Sequence, residues 1–502
     1  MPKHALAGFD IGTSKIRCIL YNKKGNILLN SSYKTPLVAT NEGYYNPTSE
    51  IIKITLKILK KTFKYSNDNN YLIKGIAFSS VGEAGVPIDK NLNELLDIIP
   101  WYDQRTNSIR DNIINNKILK KIYKITGLNK DHFFSVYKLL WIKKNKPNLF
   151  KKIYKWLPVN DYVAMKLTGE ISTDHSQALR TLLYNPQKLK WSDEMLSIFK
   201  VNKSILPKIL NSGDKKGYLS KNIKKILKIK YDCVVVNGGH DHFVGIFALG
   251  GFKKNTIVDS LGSAEAVTLT TKNYNTDISL QKSNFITGVF KTKFKAYYYI
   301  VASILTSGLI IEWFKETFNI KDFNHLNKIL KNSKTRKSII FFPQFEYSHS
   351  PINASTTNGF IGGIDRSTTL GDIYKSILES LSFDTMNAME FMQLKSRVKV
   401  NKVISSGGSV QNIAWMKLRA NVFKKNIYID KNIENVSFGS ALLAGIGSGV
   451  FKNENEAFKN FKSKFTIIKK DKTLVNEYKI LFEKYKENIV DIIKVNQKLK
   501  NE

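Results

Sequence analysis

The chain has 502 residues, more than one hydrophobic core can organise, since single cores stop growing near ~250–300 residues, so two domains of similar size are expected. With 42% hydrophobic and 12% aromatic residues it can fill such cores, which excludes a disordered chain. Its 79 Lys and Arg against 41 Asp and Glu leave a net charge of +38, but the excess is mostly Lys scattered among Asn and Ile with no nucleic-acid-binding motif, and it reads as compositional bias rather than a polyanion partner.

Taken in chain order, Ala5–Asp10 is an apolar strand, Gly12-Thr13-Ser14 a tight turn, and Ile16–Tyr21 a second strand. No leader is expected ahead of a strand that begins by Ala5. A turn at Asn22–Asn26 leads into a third strand, Ile27–Tyr33, followed by an amphipathic helix over Glu50–Thr62 and a strand over Ile73–Ser79. The pattern is a mixed sheet with a helical crossover. The stretch from Asn107 to Phe199 is mainly helical, and Lys221–Lys230 is an amphipathic helix with a solvated Lys face.

A buried strand, Val234–Val236, runs into Asn237-Gly238-Gly239, and a second α/β pattern then begins. Thr256–Ser260 is a strand, Leu261-Gly262-Ser263 a turn, and Ala266–Thr270 a strand. The segments AGFDIGTSKIRCIL and TIVDSLGSAEAVTL echo one another, each reading strand, Asp, Gly-hydroxyl turn, strand, with Asp10 and Asp259 lying 259 − 10 = 249 residues apart. The expectation is one α/β design used twice, in domains spanning 1–248 and 249–502.

The uncharged run Ala296–Ile311 is shorter than the ~20 residues of a membrane span, carries Ser303, Thr306 and Ser307, and reads as a buried strand leading into a helix. A helix starts at Asp372, a strand at Lys402–Ser405 leads into Ser406-Gly407-Gly408-Ser409, and a helix covers Ile413–Val422. The tail beyond Lys469 is a Lys-rich amphipathic helix. Cys18 and Cys233 sit in apolar runs without a CxxC or a disulfide framework, which suits a reducing, cytoplasmic setting.

Several segments could carry chemistry. The Asp10-Ile11-Gly12-Thr13 turn can present backbone N–H groups to a phosphate while Asp10 holds Mg²⁺; an ordinary β-turn is the alternative. Gly262-Ser263 offers a second such turn, and two phosphate-binding hairpins facing a cleft would clamp a triphosphate. The glycines at 407 and 408 would let a ribose or a flat ring lie against the backbone. Asp241, in Gly238-Gly239-His240-Asp241-His242, ends a buried strand and can accept a proton from a hydroxyl. A helix N-cap, a structural ion pair, or a metal site on the two histidines are the competing roles for this segment.

Two long segments, FFSVYKLLWIKKN from Phe133 to Asn145 and GFIGGIDRSTTLGDIYKSILE from Gly359 to Glu379, resemble the FGGY carbohydrate kinases, the group that includes glycerol kinase, xylulokinase, gluconokinase and L-fuculokinase. IIPWYDQRT (98–106), VNDYVAMKLTGE (159–170), SGGSVQNIAWMK (406–417) and SFGSALLAGIGSG (437–449) extend the likeness in family order from residue 5 to about 450. The resemblance implies an α/β fold of two actin-like, ribonuclease H-like domains with a nucleotide cleft between them.

It further implies an ATP- and Mg²⁺-dependent kinase that phosphorylates a terminal hydroxyl of a small sugar, ketose, polyol or aldonate. By the same resemblance Asp10, Gly12, Thr13 and Arg17 match the first phosphate and metal loop, Gly262 and Ser263 the second, and Gly407, Gly408 and Asn412 the adenosine-side loop. Asp241 matches the general base, and Glu83, Phe133 and His242 fall at substrate positions. Homodimers are common in the family, and neither a nucleic-acid nor a membrane partner is implied.

The sequence departs from the family pattern at its own substrate positions. The base motif reads Gly-Gly-His-Asp-His where many members have Gly-Gly-Gly-Asp-Asn, and Gly82-Glu83 stands where glycerol kinase has Arg-Glu and xylulokinase Met-His. Ser263-Ala264-Glu265 replaces the usual Thr-Ser-Gly. An actin-like ATPase without a small-molecule substrate and a pseudokinase are the rival readings, and retention of Asp10, Thr13, Glu83 and Asp241 argues against both. Glu83 also has a plain structural alternative, pairing with a neighbouring Lys or Arg.

Overall fold

The computed structural model describes residues 2–333, 339–345, 349–352, 358–430 and 434–500. The chain forms two compact units, one made of Met1–Gly250, Gly288–Tyr298 and Glu434–Ser463, the other of Gly251–Thr287, Tyr299–Ile433 and Lys464–Glu502. The chain thus crosses between the units more often than a linear division into 1–248 and 249–502 allows for.

In the first unit, β1 (Lys3–Ile11), β2 (Lys15–Asn22) and β3 (Ile27–Lys34) form an antiparallel meander. Helix α1 (Thr48–Asp68) carries the chain over to β4 (Tyr71–Ser80), which lies parallel to β1. After helix α2 (Val159–Thr168), β5 (Lys215–Tyr218) and β6 (Val234–His240) complete a six-stranded sheet of order β5-β6-β4-β1-β2-β3, with α3 (Asp241–Ala248) leaving β6 directly. Side chains alternate between the faces of a strand, and this sheet uses both. Ala5, Ala7, Phe9 and Ile11 of β1 pack with Ile51, Ile58 and Phe63 of α1 and with Val163 of α2. The opposite face carries Leu6, Gly8 and Asp10, and it is covered by a helix from far along the chain, Asn435–Gly447. A Cβ on Gly8 would overlap the Ser437 carbonyl, so backbone meets backbone there.

In the second unit, β7 (Thr256–Leu261) pairs antiparallel with β8 (Glu265–Thr271) and parallel with β11 (Lys402–Ser406). With β9 (Ile286–Lys291), β10 (Ala296–Ile304), β12 (Ile427–Asp430) and β13 (Phe465–Ile468) they make a seven-stranded sheet of order β9-β10-β8-β7-β11-β12-β13, of which Gly288–Tyr298 is counted with the first unit. The core order repeats: a hairpin, a parallel partner for its first strand, a further parallel strand, and an antiparallel edge, β5 in one sheet and β13 in the other. The expected double use of one α/β design is therefore present in the topology.

The helices of the second unit follow the sequence expectations closely. They include α4 (Ser307–Thr317), α5 (Leu370–Ser396), α6 (Ile413–Val422) and the tail helix Lys472–Lys500, while α7 (Asn435–Gly447) belongs to the first unit. Helix α5 opens with a full capping box, in which Thr369 and Asp372 each satisfy the other's backbone N–H. Cys18 and Cys233 are buried and unpaired. No helix among the described residues is long and apolar enough to cross a membrane.

The echo of the two aspartates needs correction. The hairpins close on the pairs Ile11–Ile16 and Leu261–Glu265, so the residue equivalent to Asp10 is Ser260, and Asp259 corresponds to Phe9. A slip of one residue turns a strand side chain to the other face. Asp259 is accordingly fully buried, where Arg419 of α6 donates to its carboxylate at 2.9 Å and Ser405 at 3.0 Å.

Candidate active site

The hairpin joining β1 and β2 is closed by the Gly12 N–H donating to the Lys15 carbonyl at 3.0 Å. Thr13 and Ser14 are exposed at its tip, and Thr13 Oγ1 accepts a hydrogen bond of 3.0 Å from the indole N–H of Trp101. Thr35 braces the turn from behind by donating to the Gly12 carbonyl at 2.8 Å.

Asp10 sits at the end of β1, opposite Arg17 across the hairpin and beside Ser79 of β4. Its Oδ1 is buried without a hydrogen-bond partner. Burial pushes the carboxyl up to about 7, with the Arg17 guanidinium pulling it back. Arg17 itself is ion-paired with Glu434, so in this structure the expected phosphate contact is engaged within the protein.

Asp241 follows the last residue of β6 and opens α3. The N-cap position belongs to His240, so Asp241 is the first helical residue rather than the cap, and its Oδ1 accepts the His242 N–H at 2.6 Å. Burial raises the Asp241 carboxyl well above the usual carboxylate range, and the negative charge of Asp10 adds to it. These two carboxyls therefore feel one another, an arrangement that a cation would relieve. Among the described residues no group of three or more His, Cys, Asp or Glu could hold a metal. A divalent cation at Asp10 would instead draw most of its ligands from phosphate oxygens and water, the usual habit of Mg²⁺, and the orphaned Oδ1 fits that role.

A cavity of about 270 Å³ opens beside Asp241. Of the expected residues it brings together Thr13, Glu83, Phe133 and Asp241. Glu83 is buried, and both Nε and a terminal nitrogen of Arg180 donate to its Oε1. The structural alternative for Glu83 is thus realised, yet both partners remain in the cavity wall. Phe133 is held from below: the buried Lys138 donates to its carbonyl at 2.6 Å, and burial lowers that ammonium to about 8. Arg180 also lies over the rings of Phe133 and Phe134, at 5.8 and 5.1 Å.

Among the aromatic and charged lining residues, Trp101 and Arg180 carry no role in the sequence reading, and His240 figures there only as half of a candidate metal pair. Trp101 stands in the PWYDQRT segment, whose aromatic-rich run is a signal that could be followed. Arg180 has no local signal at all, and only the fold brings it to Glu83. His242, expected at the substrate, lies outside the cavity lining, in the first turn of α3 with its ring centroid 6.5 Å from that of His240. Burial lowers the His242 imidazole to about 4 and takes His240 well below its usual value, with Arg180 acting in the same direction on both.

The candidate nucleotide loops of the second unit are described on their own terms. Gly262 N–H donates to the Ala264 carbonyl at 3.0 Å to close the hairpin, and the Ser263 carbonyl accepts from Leu309 of α4 at 3.1 Å. Glu265, the departure in this motif, is fully buried and works structurally: Arg419 donates to its Oε1 at 2.6 Å, Thr385 to Oε1 at 2.7 Å and Ser307 to Oε2 at 2.8 Å. Gly407 has φ 103°, and a Cβ there would overlap the Leu261 carbonyl, so only glycine fits. Gly408 faces open space. The Asn412 side chain caps α6 by accepting the Trp415 N–H at 3.1 Å and donates to Tyr374 Oη at 2.9 Å, which shapes the loop.

Known proteins resemble this chain over most of its length. The sequence profile of the FGGY family of carbohydrate kinases, N-terminal domain, matches residues 5–248, and that of the C-terminal domain matches residues 260–448. The xylulose kinase of Staphylococcus xylosus is 27% identical over 455 residues, 89% of this chain and 92% of the relative. The glycerol kinase of Saccharolobus islandicus (strain M.16.27) is 28% identical over 458 residues, 89% of each chain. The crystal structure of the ligand-bound xylulose kinase from Lactobacillus acidophilus superimposes with a TM-score of 0.88 at 21% identity, over 99% of this chain and 100% of that one. Both domain profiles match in order over most of the chain, on a fold whose hairpins and sheets repeat as that pair requires, and the chain belongs to the FGGY family of carbohydrate kinases.

Proposed function

We propose that this carbohydrate kinase transfers the γ-phosphoryl group of ATP to a hydroxyl of a small sugar, ketose, polyol or aldonate, with Asp241 as general base. The observation that carries this reading is that Asp241 and Thr13, a candidate base and the tip of a candidate phosphate hairpin, line one cavity together with Glu83 and Phe133. The xylulose and glycerol kinases among its relatives favour an acceptor of that kind.

Phosphoryl transfer leaves a protein little covalent work, so positioning and charge neutralisation dominate. Glu83, fixed by Arg180, orients the acceptor through its hydroxyls, and Phe133 and Trp101 offer apolar surface to its carbon chain. Asp241 takes the proton of the attacking hydroxyl as that oxygen bonds to the γ-phosphorus and the bond to the ADP oxygen breaks. The Gly12 and Thr13 turn faces the phosphates, and Asp10 would hold Mg²⁺, which supplies neutralisation of the phosphate charge. Water exclusion on substrate binding would suppress wasteful ATP hydrolysis.

The test is a screen of ketoses, polyols and aldonates with coupled detection of ADP. Acceptor-dependent ADP release with at least one compound is expected. Equal ATP turnover with and without every acceptor would favour an actin-like ATPase instead.

A further inference from the structure

Gly82, just beyond β4, has almost no free space above its Cα. A Cβ there would stand 2.7 Å from His240 Cδ2, 2.8 Å from His240 Nε2 and 3.0 Å from Arg180 Cγ. Neither neighbour is free to withdraw. Arg180 is tied to Glu83. The His240 backbone N–H donates to Ser176 Oγ at 2.9 Å, Ser176 in turn donates to the Asp174 carboxylate, and the imidazole packs on Phe243 at 5.3 Å between centroids. His240 Nε2 also lies 3.4 Å from Asp241 Oδ1, so the ring stands between position 82 and the candidate base. Gly82, Arg180, His240 and Asp241 all line the same cavity.

We propose that His240 is the specificity-determining residue of this cavity: standing over Gly82 and beside Asp241, its imidazole closes one end and limits the length of the acceptor, which is an uncharged polyol or ketose. The inference rests on reading the cavity as the acceptor site. The charge class follows from the lining groups. Arg180, the one fixed cation among the described lining residues, is already engaged by Glu83, so an acidic acceptor would enter a wall that also carries Asp241 and find no unpaired positive side chain there to balance its charge. Hydroxyl groups, by contrast, can donate to carboxylates and pair with a neutral imidazole. The length limit follows from volume: the space a side chain at position 82 would need is filled by the histidine ring, and Gly82 and His240 are coupled through that space.

The experiment measures kcat and KM of wild type, H240G, G82A and the G82A/H240G double variant with glycerol, erythritol, D-xylulose and D-gluconate, with thermal unfolding as the control for folding. Wild type is expected to favour a neutral acceptor over gluconate. H240G should raise kcat/KM for D-xylulose relative to glycerol by about tenfold, the scale of one added or removed methylene's worth of pocket. G82A should raise the KM of the best acceptor by about tenfold while the KM for ATP stays constant, and H240G added to it should restore the acceptor KM, a non-additivity expected only of residues sharing one space. An unmoved acceptor ratio in a folded H240G protein, a G82A defect that H240G fails to relieve, or a wild-type preference for gluconate would each overturn the inference while the kinase reading stands. A wild type that phosphorylates none of the panel overturns the proposed acceptor class and this inference with it.

Discussion

Arg180 and Glu83 meet as a buried ion pair in the wall of the cavity although 97 residues separate them. Glu83 is held at φ 62°, a left-handed conformation that a long side chain rarely adopts, and its carbonyl accepts from Ser135 Oγ at 2.8 Å. A strained residue persists only where its surroundings over-determine it, and here Arg180 and Ser135 do so. Arg180→Leu should leave a buried carboxylate without its partner and lower stability by about 3 kcal/mol. Denaturant unfolding checks the stability, and acceptor KM should rise in the same variant with the KM for ATP little changed.

Asp241→Asn should keep the fold, since Asn is nearly isosteric and can still accept the His242 N–H. Its kcat should fall by ~10²–10⁴, the usual worth of a general base. His242→Asn, outside the cavity lining, should retain far more turnover. Steady-state kinetics of the two variants side by side decides between carboxylate and imidazole, and near-normal turnover in Asp241→Asn would remove it as the base.

Asp10→Asn should raise the Mg²⁺ concentration needed for half-maximal activity, because the amide oxygen is a weaker ligand than a carboxylate. Chelation with EDTA should abolish turnover in both proteins. A Mg²⁺ titration at saturating ATP and acceptor separates the two, and coincident curves would detach Asp10 from the metal.

Gly407→Ala must force a side chain into the left-handed region and against the Leu261 carbonyl, so a loss of at least about 2 kcal/mol is expected, with weaker nucleotide binding. Gly408→Ala, facing open space, should leave stability within about 0.5 kcal/mol. Thermal unfolding with and without ADP reads both effects, and equal melting temperatures for the two variants would contradict the geometry.

Glu379 of α5 supplies a pH signature away from the cavity. Burial pushes its carboxyl up to about 7, against the opposing pull of Lys375, whose Nζ lies 3.7 Å away. The folded chain then holds a proton that the unfolded chain has already released, so stability falls as pH rises from about 4.5 to about 7 and levels off above that. Glu379→Gln should flatten this part of the profile and be the more stable protein at pH 8. Melting temperature against pH for wild type and variant checks the sign, and parallel profiles would refute it.

The elements legible in the sequence are those whose cause is local. The β1–β2 and β7–β8 hairpins announce themselves by apolar runs broken at Gly12 and Gly262, and α6 by Asn412 ahead of Ile413–Val422. The role of Asp259 was not legible in the same way, because a one-residue shift against the turn is invisible until the pairing register is known, and that shift decides between a cavity and an ion pair with Arg419. Arg180 and the crowding of Gly82 by His240 depend on β4, β6 and the segment after α2 converging, which no local pattern encodes.

Helix α7 has a consequence for the order of events during synthesis. The face of the first sheet that carries Leu6, Gly8 and Asp10 is covered only when Asn435–Gly447 arrives, since Gly75 of β4 lies so close to it that a Cβ would be 2.6 Å from the Ala444 carbonyl. On a ribosome adding ~5–20 residues per second, the 433 − 250 = 183 residues between Gly250 and Glu434 take roughly 10–40 s to emerge. During that interval the nascent sheet waits with one face open, and the nearly complete second unit must emerge before the first can close.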